Sequence, residues 1–294
     1  LSTPRFLTLP PGVRRTEIST SRGTFAALEA LPGSGVPERP PALLVPGFTG
    51  SKEDFIAVLP TLARAGRRVV AIDMRGQYET AGPDDPAAYT CAALGLDVAA
   101  LLEALGPEPA HLVGHSFGGL VTREAILGAG ARPLTYTLMS SGPGAITGPR
   151  AKDAAALVAE LPRIGLERVW HDHMEPDALR NGVPPHIVDF LRTRMLRNNV
   201  TGLLSMAQEL LVCPDRVEEL AKLSADIDLP VLVLYGEDDN AWSPQIQAAM
   251  AERLSAEKVV IPGAAHSPAV EAPETTASTL ADFWRQGECR RLTR

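Results

Sequence analysis

Residues 110–119 read Ala110-His111-Leu112-Val113-Gly114-His115-Ser116-Phe117-Gly118-Gly119, an apolar run that stops at a glycine-flanked serine, beyond which the apolar spacing of a helix begins. Taken as strand, turn and helix, the stretch puts Ser116 on a sharp corner where the backbone must accept strained angles. Its neighbours must then be small, and Gly114 and Gly118 stand at the two positions where side chains would collide. Such a corner lifts the hydroxyl above the sheet edge and aims the free N–H groups of the following helix at any negative charge that forms there. A G-x-S-x-G in a chain with 25 glycines also arises by chance, so the reading turns on context.

The context is an alternation of strand and helix. Arg14 to Thr20 and Thr24 to Ala30 flank a turn at Ser21-Arg22-Gly23 and predict a β-hairpin. A proline-rich loop leads into Ala42-Leu43-Leu44-Val45, a short continuous apolar run of the kind buried on both faces of a parallel sheet, and then into Pro46-Gly47-Phe48-Thr49-Gly50. From Ser51 a helix is expected, with Phe55, Val58, Leu59 and Leu62 on one face and Pro60 as a bend. Arg68 to Ile72 is the next strand and ends at Asp73-Met74-Arg75-Gly76. A further helix carries Leu94, Val98, Leu101, Leu102 and Leu105 as one stripe. After the Ser116 corner come a helix from Leu120 to Leu127 and a strand from Thr135 to Met139, a pattern that predicts right-handed crossovers and a mostly parallel sheet.

The alternation stops at Ser140-Ser141-Gly142-Pro143 and returns at Val231-Leu232-Val233-Leu234-Tyr235. Between them, 143–229 is expected to be helical in pieces broken by Pro162, Pro176, Pro184-Pro185 and Pro214. The expected organisation is α/β: a core of 1–142 and 230–294, with a helical cap of 143–229 inserted between late strands. The core resumes with Gly236-Glu237-Asp238-Asp239, a helix from Pro244 to about Leu254, a strand from Lys258 to Ile261, Gly263-Ala264-Ala265-His266, and a last helix from about Pro273 to Arg285.

Composition narrows the function. The 294 residues are 45% hydrophobic and 21% charged, ordinary for a globular chain long enough to bury a large core. No apolar run approaches the roughly 18 residues of a membrane span, and the N-terminus has no stretch of signal-peptide length, so a cytoplasmic location is expected. A net charge of -7 disfavours nucleic acid and fits an enzyme of small molecules. Cys91, Cys213 and Cys289 are widely spaced and odd in number, which reads as free thiols without metal-ligand spacing.

These turns resemble the α/β-hydrolase superfamily, over about Arg14 to Arg285. A serine hydroxyl needs a base beside it, and the base needs a carboxylate to fix its tautomer. In the superfamily the order along the chain is nucleophile, acid, histidine, which maps onto Ser116, Asp239 and His266. Asp238 is the alternative acid, because the two aspartates are adjacent. The resemblance implies an oxyanion hole made by the amides of Phe117 and Phe48, the latter in Pro46-Gly47-Phe48, where proline replaces the usual histidine. Asp73-Met74-Arg75-Gly76-Gln77-Tyr78 is similar to the family's D-x-R-G-x-G turn, with Tyr78 at its second glycine, which implies altered loop packing. Cleavage of an ester or related acyl bond without a cofactor follows from the likeness. The same triad also serves carbon–carbon hydrolases, amidases, thioesterases and cofactor-free perhydrolases, and some relatives use the pocket as a non-catalytic small-molecule receptor. Serine at the corner argues against dehalogenase and epoxide hydrolase chemistry, which uses an aspartate.

Other residues have two readings each. His115 is expected behind the corner as a support. His171-Asp172-His173 offers metal ligands or a surface turn, and the turn is favoured because i, i+2 histidines share a side only in a strand. Arg192, Arg194 and Arg197 suit an acidic substrate or, better, a solvated helix face. Phe48, Phe117 and Trp242 fall near the three chemical turns, where they either wall an apolar acyl pocket or pack as ordinary core.

Overall fold

A computed structural model describes residues 2–292. Its eight strands, β1 (Val13–Thr20), β2 (Gly23–Ala30), β3 (Arg39–Val45), β4 (Arg67–Ile72), β5 (His111–His115), β6 (Thr135–Met139), β7 (Val231–Gly236) and β8 (Glu257–Ile261), form one sheet in the order β1-β2-β4-β3-β5-β6-β7-β8. The hairpin β1–β2 and the β2–β4 pair are antiparallel, and every pairing from β4 to β8 is parallel. All five residues of β5 are buried at the middle of the sheet, as expected for a strand covered on both faces. The register sets Val45 opposite Gly114, His115 opposite Met139 and Gly236 opposite Ile261. The turns that follow β3, β5, β7 and β8 therefore open along one edge of the sheet.

The helices are α1 (Leu59–Arg64), α2 (Cys91–Ala104), α3 (Phe117–Leu127), α4 (Gly148–Val169), α5 (Glu175–Arg180), α6 (Pro185–Leu196), α7 (Val200–Val212), α8 (Val217–Asp226), α9 (Pro244–Arg253), α10 (Pro268–Glu271) and α11 (Pro273–Leu292). Apolar side chains of α2, α3, α8 and α9 bury one face of the sheet, and those of α1 and α11 bury the other. A third apolar cluster lies within the α4–α7 stretch, around Trp170, Ile187, Leu191 and Leu203. Among the described residues, no helix is long and apolar enough to cross a membrane.

Two local expectations need correction. The single helix from Ser51 is instead a 3₁₀ turn (Lys52–Phe55) followed by α1. Pro60 is the cause: it lacks an N–H and crowds the carbonyl four residues back, so a helix restarts with Pro60 in its first turn, where neither defect matters. Arg194 is not on a solvated face; it is buried in α6 and donates to Asp54 Oδ1 at 2.8 Å. Burying it unpaired would be costly, and Asp54 supplies the opposite charge from the core. Arg194 thus ties α6 to the Lys52–Phe55 turn that follows β3. Further ties are Asn199 N–H to the Gly76 carbonyl (2.8 Å) and Cys91 N–H to Glu209 Oε2 (2.7 Å). Cys91 and Cys213, 122 positions apart, are free buried thiols whose sulfurs lie 3.9 Å from each other.

At the opposite edge of the sheet, Glu288 of α11 gathers three partners. Arg67 donates to its Oε1 from Nε (2.9 Å) and Nη2 (2.6 Å), Arg39 donates to Oε2 (2.6 Å), and His111 Nε2 lies 3.1 Å from Oε1. Burial alone raises a carboxyl pKa, but His111, Arg39 and Arg67 outweigh it and hold Glu288 at about 2. Burial pushes His111 down to about 4, so at neutral pH its ring is an uncharged donor to the carboxylate. Because the folded value lies below the ordinary 4.5, the stabilisation is complete above pH 4.5 and is lost as pH falls towards 2. Glu288→Ala leaves the Arg67 guanidinium buried without a counter-charge and is expected to lower unfolding free energy at pH 7 by about 3–5 kcal/mol. Denaturant titrations of the two proteins should converge as pH drops through that window.

Candidate active site

The corner between β5 and α3 holds Ser116 at φ 54° and ψ -122°, a left-handed backbone that a side chain rarely tolerates. Contact explains the flanking glycines. A Cβ on Gly114 would lie 2.3 Å from Thr122 Oγ1, and one on Gly118 would lie 2.4 Å from the Pro46 carbonyl. Ser116 N–H donates to the Met139 carbonyl at 2.9 Å, which carries the β5–β6 ladder one residue beyond the strand and fixes the corner to the sheet.

Three side chains from three strand ends meet here. Ser116 Oγ lies 2.9 Å from His266 Nε2, and His266 Nδ1 lies 2.9 Å from Asp239 Oδ1. Asp239 also accepts Ala241 N–H at Oδ1 (2.9 Å) and Gln247 Nε2 at Oδ2 (2.9 Å). Burial works to raise its pKa, but the hydrogen bonds from His266, Ala241 and Gln247 hold it below the ordinary carboxylate value. An ionised carboxylate only accepts, so Nδ1 carries the proton and Nε2 is left as acceptor for the serine hydroxyl. Asp238 is exposed, and its backbone N–H donates to the Ala264 carbonyl at 3.1 Å. Of the two aspartates, Asp239 is the one joined to His266.

His115 sits behind the corner, where its Nε2 donates to the His266 carbonyl at 2.7 Å. Burial, with His266 close by, pushes its pKa down to about 4, so it is neutral and serves as a strut for the loop after β8.

The turn after β3 lies against the serine. A Cβ on Gly47 would come within 3.0 Å of Ser116 Cβ and 3.4 Å of Ser116 Oγ. Phe48 and Phe117 meet edge to face with ring centroids 6.5 Å apart. Phe117 is fully buried, whereas Phe48 is half-buried and also packs on the α4–α7 cluster. Neither backbone N–H has a hydrogen-bond partner among the described residues; that of Phe117 belongs to the first turn of α3, where intrahelical acceptors are lacking. Trp242 is buried. Its indole donates to the Gly144 carbonyl (3.2 Å), and its ring centroid is 6.5 Å from that of His266. It backs the imidazole instead of facing open space.

The remaining candidates lie apart. His171 and His173 are exposed and engage Asp172 (3.0 Å) and Glu160 (2.7 Å). Arg192 pairs with Glu167 at 2.6 Å, and Arg197 lies 3.8 Å from Glu79. Two buried glutamines escaped the sequence reading: Gln247, which also donates to the Trp242 carbonyl at 2.7 Å, and Gln77, 1% exposed beside the Gly47 turn. Gln247 left a trace, since it is a polar residue in register with Met250 and Ala251 on the buried face of α9.

Among known proteins, the model of the alpha/beta hydrolase family matches residues 42–279. A thermophilic esterase from Thermogutta terrifontis, solved with malate bound, superposes with a TM-score of 0.72 at 26% identity, covering 93% of this chain and 99% of that one. A hydrolase from Pseudomonas aeruginosa PA01 gives 0.71 at 27% identity, with 92% and 98% covered. A proline iminopeptidase from Lactobacillus helveticus (strain DPC 4571) is 38% identical over 86 residues, 29% of each chain. The chain spans 37% and 29% of the lengths of the first curated relatives that it matches.

The Asp239–His266 bond makes a spectroscopic prediction. The strongly downfield proton NMR signal expected for the Nδ1–H persists in Asp238→Asn and disappears in Asp239→Asn. Gln247→Leu removes one donor to the carboxylate, so the Asp239 pKa rises towards its ordinary value in a carbon-detected carboxyl titration.

Proposed function

This chain belongs to the alpha/beta hydrolase family, and from that premise we propose that it is a serine hydrolase cleaving a carboxylic ester or related acyl bond of a small, largely apolar substrate. The observation that carries the reading is the unbroken hydrogen-bond chain from Ser116 through His266 to Asp239. Ser116 Oγ attacks the carbonyl carbon while His266 Nε2 takes its proton; Asp239 keeps the imidazole in the right tautomer and supports the charge that develops. The Phe48 and Phe117 N–H groups receive the oxyanion. Collapse of the tetrahedral intermediate breaks the bond to the leaving oxygen, which takes the proton from His266 and departs as an alcohol. Water, deprotonated by the same histidine, then attacks the acyl-enzyme and releases the acid. No cofactor enters these steps.

Residues 143–229 act as a helical cap over the site. Phe48 supports this, because it contributes to the apolar cluster of the α4–α7 stretch while belonging to the turn beside Ser116. An apolar group held there presents its carbonyl to the serine. The activity and substrate class rest on this chain's own residues, since the bonds cleaved by its relatives differ.

A fluorophosphonate probe is expected to label the wild-type protein and to spare Ser116→Ala. Turnover of a short p-nitrophenyl ester should fall by about 10⁴- to 10⁶-fold in Ser116→Ala and His266→Ala. Equal labelling of wild type and Ser116→Ala, or activity that appears only with added peroxide, overturns the proposal.

A further inference from the structure

Pro46 leaves the turn after β3 without a side chain able to hydrogen-bond it in place, yet that turn must aim the Phe48 N–H. The Gly47 carbonyl is where it is held. It accepts Gly50 N–H at 3.0 Å and the side-chain amide of Gln77 at 2.9 Å. The peptide linking Gly47 to Phe48 is planar and trans, so its carbonyl and its N–H point in opposite directions. Whatever pins the Gly47 oxygen therefore sets the line along which Phe48 donates.

Gln77 is built for that task. Its Oε1 accepts Met74 N–H at 3.1 Å, which leaves the NH₂ end facing Gly47 and decides the orientation of the amide. Its own backbone is fixed at both ends, Gln77 N–H to the Met74 carbonyl (2.9 Å) and Thr80 N–H to the Gln77 carbonyl (2.8 Å). The next residue, Tyr78, takes φ 41°, and its ring is held edge-on to Phe190 at 5.7 Å with Lys52 Nζ 4.6 Å and the Arg197 guanidinium 5.1 Å from its centre. The side chain thus extends from a turn that is itself anchored on two sides.

We propose that Gln77 is the positioning residue of the oxyanion loop, orienting the Gly47–Phe48 peptide so that the Phe48 N–H meets the transition-state oxyanion. The inference rests on the serine hydrolase reading above. Gln77 touches no reacting atom; it acts through the peptide, so its loss weakens binding of the tetrahedral state more than binding of the ester.

Two variants test it. Gln77→Glu keeps the shape but replaces the donor with an acceptor, and Gln77→Met keeps the length with no donor. With a p-nitrophenyl ester, kcat is expected to fall by about 10- to 100-fold while KM stays within about threefold. The inhibition constant of a trifluoromethyl ketone, which adds to the serine as a tetrahedral oxyanion, should rise by the same factor as kcat/KM falls. Circular dichroism and melting curves identify the variants that fold; if the glutamate variant does not, the methionine variant carries the comparison. A folded variant with wild-type kcat and ketone affinity, or one that loses only stability, overturns the role of Gln77 and leaves the hydrolase reading standing. A wild-type protein that neither turns over the ester nor binds the ketone overturns both.

Discussion

A serine held at φ 54° survives only if its surroundings leave the backbone no alternative, and much of this molecule can be understood as meeting that condition. The strain costs on the order of 1–3 kcal/mol, and it is offset by packing that reaches across the sheet. Gly118 lets the Pro46 carbonyl close on α3, Gly114 admits Thr122, and the Met139 carbonyl accepts the Ser116 amide. The contacts come from the turn after β3, from α3 and from β6. The corner is thus specified by the completed sheet, with β3 and β6 flanking β5, and not by its own five residues.

Polar groups are distributed with the same economy. At the edge that carries Ser116, hydrogen bonds form a relay: Gln247 orients Asp239, Asp239 orients His266, His115 holds the backbone of His266, and Gln77 holds Gly47. At the far edge, charges are matched in place, with Glu288 facing Arg39 and Arg67. The ion pairs that join the α4–α8 stretch to the core lie between. Lys52 belongs to the core itself, buried with its ammonium 2.8 Å from Asp73, 3.2 Å from Glu53 and 2.6 Å from Glu79. Burial would lower its pKa, but those carboxylates outweigh it and keep the charge on the lysine.

The fold was legible because its signals are periodic and local. Continuous apolar runs marked the buried strands, and the chain order of the Ser116, Asp239 and His266 turns pointed to one sheet edge. What could not be read is what long-range contact decides. Arg194 looked like part of a solvated stripe because its partner, Asp54, lies 140 residues away. Pro60 reads equally as a bend within a helix or as the first turn of a new one, and the structure has it in the first turn of α1. Asp238 and Asp239 are chemically identical neighbours, and only the direction of each side chain separates them. Gln77 sits in a turn without periodicity, so a buried amide there leaves no mark in the sequence beyond its identity.

His266 follows an edge strand of the sheet. β8 is an edge strand paired only with β7, and Glu257, Lys258 and Val260 face solvent while Ile261 is buried. The charges protect that edge from pairing with other chains, but they also leave few apolar contacts to hold it, and such segments open at a lower free energy than the core. The loop beyond it is secured by a handful of hydrogen bonds, among them His115 to the His266 carbonyl and Glu271 to the amides of Ala265 and Ser267. The placement of the imidazole is thus decided at a border of the sheet, while Ser116 is held at its centre.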